Sequence, residues 1–118
     1  MDFYKVIKGR RSVRAYRSAP VEEEKLRRIL DAARLAPSAA NRQPIRLYVI
    51  RDDGLRHDLL QAYSQQWFAD APVIICACHR AGEAWRRSDG KSYADVDLTI
   101  AMDHLVLAAA AEGLGTCW

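Results

Sequence analysis

Three arginines surround a serine in the stretch RRSVRAY, residues 10–16. Guanidinium groups are forked donors that match phosphate oxygens in pairs, and a hydroxyl adds a further partner. Arg10, Arg11, Ser12 and Arg14 supply that chemistry within five residues. If the segment is extended, Arg10, Ser12 and Arg14 project to one side together. The competing reading is a solvated basic turn whose charge is met by Glu22, Glu23 and Glu24. A second stretch, PSAANRQP at 37–44, combines small residues with a hydroxyl and side-chain amides. Such a loop can lie flat against a planar heterocycle and hydrogen-bond its edge. The same composition also suits an ordinary helix-to-strand connector. Cys76-Ala77-Cys78-His79 gathers metal-ligating types, but strand alternation would put both thiols on one face and the imidazole on the other. Buried free thiols are therefore expected there, and no metal site. The sequence has no Gly-x-Gly-x-x-Gly, Walker A loop, His-Glu-x-x-His, Cys-x-x-Cys or Gly-x-Ser-x-Gly.

The elements that position these residues follow from periodicity. Asp2 can cap a short helix with Phe3, Val6 and Ile7 on one face, ended by Gly9. After a turn at Ser18-Ala19-Pro20, Glu22, Glu23 and Glu24 fill the first turn of a second helix, where the macrodipole favours acid. Its apolar stripe is Leu26, Ile29, Leu30 and Ala33, and Pro37 ends it. Gln43 precedes a proline and is expected to be extended. Leu47–Ile50 reads as a strand. Asp52-Asp53-Gly54 leads into a third helix whose apolar contacts are Leu55, Leu59, Leu60, Ala62 and Tyr63. The apolar run 72–78 reads as a central strand buried on both faces, and Arg80 to Lys91 as an exposed loop. The last helix, 95–112, is apolar almost all round, which implies burial in a core or a subunit interface. Gly113-Leu114-Gly115 stops it, and Thr116-Cys117-Trp118 looks like a strand beginning.

The whole has 118 residues, half of them hydrophobic, with 18 Lys plus Arg against 15 Asp plus Glu. One domain, 1–118, is expected. A net charge of +3 does not suggest a nucleic-acid protein. No apolar run is long enough for a bilayer, and residues 1–8 lack the pattern of a signal peptide. Three cysteines do not make a disulfide framework, so a reducing cytoplasm is expected.

RRSVRAY, AARLAPSAANRQPIRLYVI, DAPVIICAC and DLTIAMDHLVLAAAAEGLGTCW, in this order and spacing, together resemble the FMN-dependent nitroreductase family over almost the whole chain. The resemblance implies an α+β three-layer sandwich, with a mainly antiparallel central sheet flanked by helices. It also implies that the chain stops short of the family's C-terminal strand and arm. Members are typically intertwined homodimers with FMN at the subunit interface. By motif match, Arg10, Arg11 and Ser12 would contact the phosphate end, and Arg14 the pyrimidine edge of the flavin. Pro37, Ser38, Ala39, Asn41 and Gln43 of the partner subunit would line the ring and ribityl chain. A cation beside the N1/O2 edge favours the anionic reduced flavin. The implied activity is an oxidoreductase: ping-pong hydride transfer from NAD(P)H through flavin N5 to a nitroaromatic, quinone or similar small acceptor. No side-chain nucleophile or base is nominated. Trp67, Phe68, Trp85 and Tyr93 are candidate acceptor-site aromatics, with packing as the alternative. Arg42 or Arg46 is a candidate for a 2′-phosphate. The alternatives in function are a non-catalytic phosphate- or nucleotide-binding module and a purely structural dimer.

Overall fold

Asp2 opens the chain as a helix cap, its carboxylate accepting from the amides of Tyr4 and Lys5 at 2.7 and 3.2 Å. The computed structural model describes residues 2–118. Helix α1 is Phe3–Gly9, α2 Glu23–Arg34, α3 Asp53–Asp58, α4 Gln66–Ala69 and α5 Ala94–Ala111; strands β1 (Ile45–Ile50) and β2 (Ile74–His79) complete the order. Short 3₁₀ turns lie at Ala39–Asn41, Leu59–Gln61 and Ala81–Glu83. The α+β class is as expected. No helix among the described residues is long and apolar enough to cross a membrane.

The core is the seam between α2 and α5. Ile29 and Ala33 pack with Met102, Leu105 and Ala109, and Leu47, Ile75, Ala77 and Leu98 close around them. Burying each large aliphatic side chain contributes about 1.5–3 kcal/mol. The two helices run antiparallel: Arg28 of α2 meets Glu112 just past α5, while the Ala32 carbonyl lies against His104 Nδ1 at 3.3 Å. The end of α5 is a Schellman stop. Leu114 N–H returns to the Ala109 carbonyl and Gly113 N–H to that of Ala110, with Gly113 at φ +78°.

Strands β1 and β2 pair antiparallel, with Leu47 opposite Ala77 and Tyr48 opposite Cys76. The face carrying Leu47, Ala77 and Ile75 packs on the α2–α5 seam. On the other face Tyr48 is 57% exposed and Cys78 is exposed. Here β2 departs from the expected central strand buried on both faces: among the described residues it pairs with β1 alone. The thiols depart with it. Cys76 and Cys78 do share a face, their sulfurs 3.9 Å apart, but neither is buried. A continuous apolar run fits a two-sided core and an edge strand equally well, so sequence could not separate them.

Two other expectations are corrected. The third helix is short and gives way to a 3₁₀ turn, and Leu55 and Tyr63 stay exposed. The Arg80–Lys91 stretch is not plain loop: Ala84 is buried, Arg86 bridges Ser92, and Trp85 stacks edge-on against Tyr93 with centroids 4.9 Å apart.

Arg28 grips Glu112 through two hydrogen bonds of 2.6 and 2.8 Å. That contact holds the Glu112 carboxyl below its ordinary 4.5. A carboxyl depressed by folding stabilises the native state above its unfolded value, and the contribution is lost as pH falls through the folded value. Glu112→Gln is therefore expected to be less stable than the wild type near pH 6, with the gap closing as pH falls below the ordinary carboxyl value. Urea midpoints of both proteins across that range check it.

Candidate functional site

Arg10 follows α1 directly. Its N–H closes that helix on the Val6 carbonyl at 2.9 Å, and its backbone is extended, φ −61° and ψ 144°. Arg11 turns back: its Nη1 donates to the carbonyls of Lys8 and Arg10, both at 2.8 Å. A cation at the C-terminal end of a helix satisfies otherwise orphaned carbonyls. Ser12 forms a parallel bridge with Thr116, and Val13 N–H donates to the Thr116 carbonyl at 2.8 Å. Tyr16 closes the segment, its hydroxyl donating to the Val13 carbonyl at 2.6 Å and its ring tilted against Trp67. Burial pushes the Tyr16 phenol above its ordinary value, Cys117 adds to the rise, and Arg14 opposes it.

The charges in this segment are not met by the glutamates that follow. Glu22 pairs with Lys25 and Glu23 with Arg51. Among the described residues, Arg10 and Arg14 form no ion pair, and both are exposed. Two unpaired guanidinium groups therefore flank the Ser12 hydroxyl in sequence. Arg11, by contrast, is committed to the end of α1.

The second candidate segment is strained. Ala40, Asn41 and Gln43 have φ of +51°, +51° and +52°, a region that costs an L-residue about 1–2 kcal/mol. Gln43 is thus left-handed and not extended. The preceding-proline rule disfavours right-handed α and leaves this alternative, which the Ser38 hydroxyl captures by accepting the Gln43 N–H at 2.9 Å. Asn41 N–H returns to the Ser38 carbonyl and Arg42 N–H to that of Ala39. Two contacts anchor the ends. The Ala39 N–H donates to Asp97 Oδ1 at 2.9 Å, and Arg80 N–H donates to the carbonyl of the fully buried Pro44 at 2.8 Å. Asn41, Arg42 and Gln43 are exposed, Pro37 is exposed, and Ser38 and Ala39 are half-buried.

Within one chain the two sets are not brought together. Asp97 ties residues 38–43 to the first turn of α5, while Thr116 ties Ser12 and Val13 to the segment beyond its last turn. Helix α5 has 18 residues, about 27 Å of rise.

The remaining candidates are mostly committed elsewhere. Arg46 pairs with Glu83 at 3.4 Å and donates to the Ile45 carbonyl. Trp67 and Phe68 each pack edge-on against Tyr63, and Arg87 lies over the Tyr93 ring. Two residues passed over by sequence reasoning matter to the site. Asp97 is buried, whereas Asp95 and Asp103 on the same helix are exposed, and the sequence pattern alone does not tell the three apart. Gly115 was legible only as a helix stop, but a Cβ there would lie 2.8 Å from Val13 Cγ2.

Comparison with known proteins defines the class. The structure superposes on a nitroreductase family protein from Clostridium novyi NT with a TM-score of 0.92 at 35% identity, covering 100% of this chain and 69% of that one. It superposes on an FMN-dependent nitroreductase from Clostridium difficile R20291 with a TM-score of 0.84 at 31% identity, covering 98% and 64%. A protein from Methanothermobacter thermautotrophicus, provisionally named NADH dehydrogenase/NAD(P)H nitroreductase, is 34% identical over 119 residues, all of this chain and 60% of its own length. The sequence model described as "Nitroreductase family" matches residues 7–67 and 56–118. The chain belongs to the nitroreductase family. It spans less than two thirds of the length of that Methanothermobacter relative.

The close approach at Gly115 gives a direct check on how the arginine segment is held. Gly115→Ala is expected to lower unfolding free energy by about 1–3 kcal/mol through overpacking against Val13. Adding Val13→Ala should recover much of the loss. Urea denaturation of the single and double variants measures both.

Proposed function

We propose that this chain binds FMN between two copies of itself and acts as an NAD(P)H-dependent oxidoreductase. Arg10, Ser12 and Arg14 of one copy hold the phosphate end and the pyrimidine edge. Pro37, Ser38, Ala39, Asn41 and Gln43 of the other line the ring and ribityl chain. When bound, the flavin supplies the hydride chemistry, from NAD(P)H to a nitroaromatic, quinone or similar acceptor. The observation that carries this reading is the pair of unpartnered guanidinium groups beside Ser12, set at the opposite end of α5 from the loop that would face the ring. A ligand with an anionic tail and a planar head suits the two segments, and a second copy supplies whichever one is out of reach.

The roles within the arginine set are unequal. Arg10 and Arg14 are free to meet an anion, whereas Arg11 serves the end of α1. The exposed left-handed turn at 40–43 presents side-chain amides of Asn41 and Gln43, donors and acceptors suited to a heterocycle edge. No side chain is assigned as nucleophile or base. The names of the relatives, FMN-dependent nitroreductase and NADH dehydrogenase/NAD(P)H nitroreductase, support the cofactor and the electron donor. The three free cysteines suit a reducing cytoplasm.

Purified protein should take up FMN and bleach at the flavin absorption bands when NAD(P)H is added. Arg10→Ala, Arg14→Ala and Ser12→Ala should each weaken FMN binding, the arginines by about tenfold or more, since each removes a charge-assisted contact. Arg11→Ala should weaken it least. Titration by flavin fluorescence ranks them. Protein that takes up no FMN would overturn the reading, and uptake without bleaching would leave a binding module.

A further inference from the structure

We propose that Asp97 is the positioning residue of the 37–44 loop, its buried carboxylate setting the conformation in which residues 38–43 meet the flavin. The proposal rests on the flavin-binding reading of that loop. Among the described residues Asp97 is the one buried polar or charged residue, 2% exposed. A carboxylate removed from water is costly unless its oxygens find donors. Asp97 finds one, the Ala39 N–H at 2.9 Å. Its Oδ2 is buried with no partner among the described residues. A side chain serving only the packing of α5 would be better replaced by an apolar one of the same size. A side chain serving only the helix dipole has no need of burial, and the exposed Asp95 already occupies that first turn.

What the Asp97 contact secures is the entry to the strained turn. Ala39 opens the 3₁₀ turn, and Ala40, Asn41 and Gln43 follow in the left-handed region. The bonds among Ser38, Asn41 and Gln43 are internal to the loop and travel with it. The ties to the rest of the chain are Asp97 at the entry, the Arg80–Pro44 backbone bond at the exit, and a long 3.4 Å contact from Arg46 Nη1 to the Gln43 carbonyl. The entry tie is the one made by a core side chain, so it transmits the placement of α5 to the loop.

The test compares Asp97→Leu, which removes the acceptor and keeps the branched heavy-atom shape with two larger methyl groups, with Asp97→Asn, which keeps an oxygen for Ala39. In Asp97→Leu, backbone amide exchange at residues 39–43 should speed up about tenfold, and the FMN dissociation constant should rise about tenfold. The urea midpoint should be unchanged or higher. Asp97→Asn should return exchange and affinity close to wild type. That split between loop order and global stability is not expected of a merely structural residue. Should Asp97→Leu not fold, Ala39→Pro deletes the donor from the loop side. The extended Ser38 before it, φ −136° and ψ 154°, accommodates a proline, and the same loss of affinity is expected. Wild-type exchange and affinity in Asp97→Leu or Ala39→Pro, or an Asn variant as impaired as Leu, would overturn the proposal. Wild-type protein that binds no FMN would overturn the flavin reading instead, and the exchange measurement would still decide whether Asp97 holds the loop.

Discussion

The packing of Ile29 and Ala33 on Met102, Leu105 and Ala109 is the contact on which the other placements depend. It holds α5 as a rigid apolar beam, with the sheet on one side and α2 along its length. Each candidate site segment is then hung from one end of that beam. Residues 38–43 are tied at Asp97. Residues 12–13 are tied at Thr116, beyond the Schellman stop. Neither segment has secondary structure enough to place itself, so the geometry of the site is inherited from the helix pair.

Charge in this chain is sorted by commitment more than by count. Arg28, Arg46, Arg51, Arg56 and Arg87 are all held by carboxylates, and Arg11 by carbonyls. An exposed ion pair is worth little to stability, but each one removes a cation from competition for an anion. The short stretch at 10–14 retains two that are unclaimed. Its serine is fixed by a backbone bridge that leaves the hydroxyl out of the ladder. Arg17, Arg27 and Arg42 are likewise without an ion pair among the described residues, so what sets this stretch apart is that its two free cations lie within five residues, on either side of Ser12.

Much of this was legible in the sequence where periodicity or capping chemistry had one physical outcome. The Asp2 cap, the α2 stripe, the length of α5 and its glycine stop all followed from local rules. The failures share a cause. Whether β2 has one partner strand or two, and whether Leu55 and Tyr63 find cover, depends on what lies beside them in space. The left-handed Gln43 could not be read from the proline after it, because the deciding partner is the Ser38 hydroxyl five residues back. Asp97 was present in the pattern as one of three aspartates on α5, and nothing local marked it as the buried one, because its partner is an amide 58 positions earlier. Gly115 was read correctly as part of a stop, yet its missing side chain also lets the chain pass close to Val13.

The separation of the two segments along α5 has a genetic corollary for the proposed shared site. A subunit damaged only in its arginines still lends an intact loop to its companion, and one damaged only in its loop still lends intact arginines. Mixing two such inactive forms would concentrate both lesions in one of the paired cavities and leave the other whole. Half of the capacity of each mixed assembly would return without any reversion, as intragenic complementation.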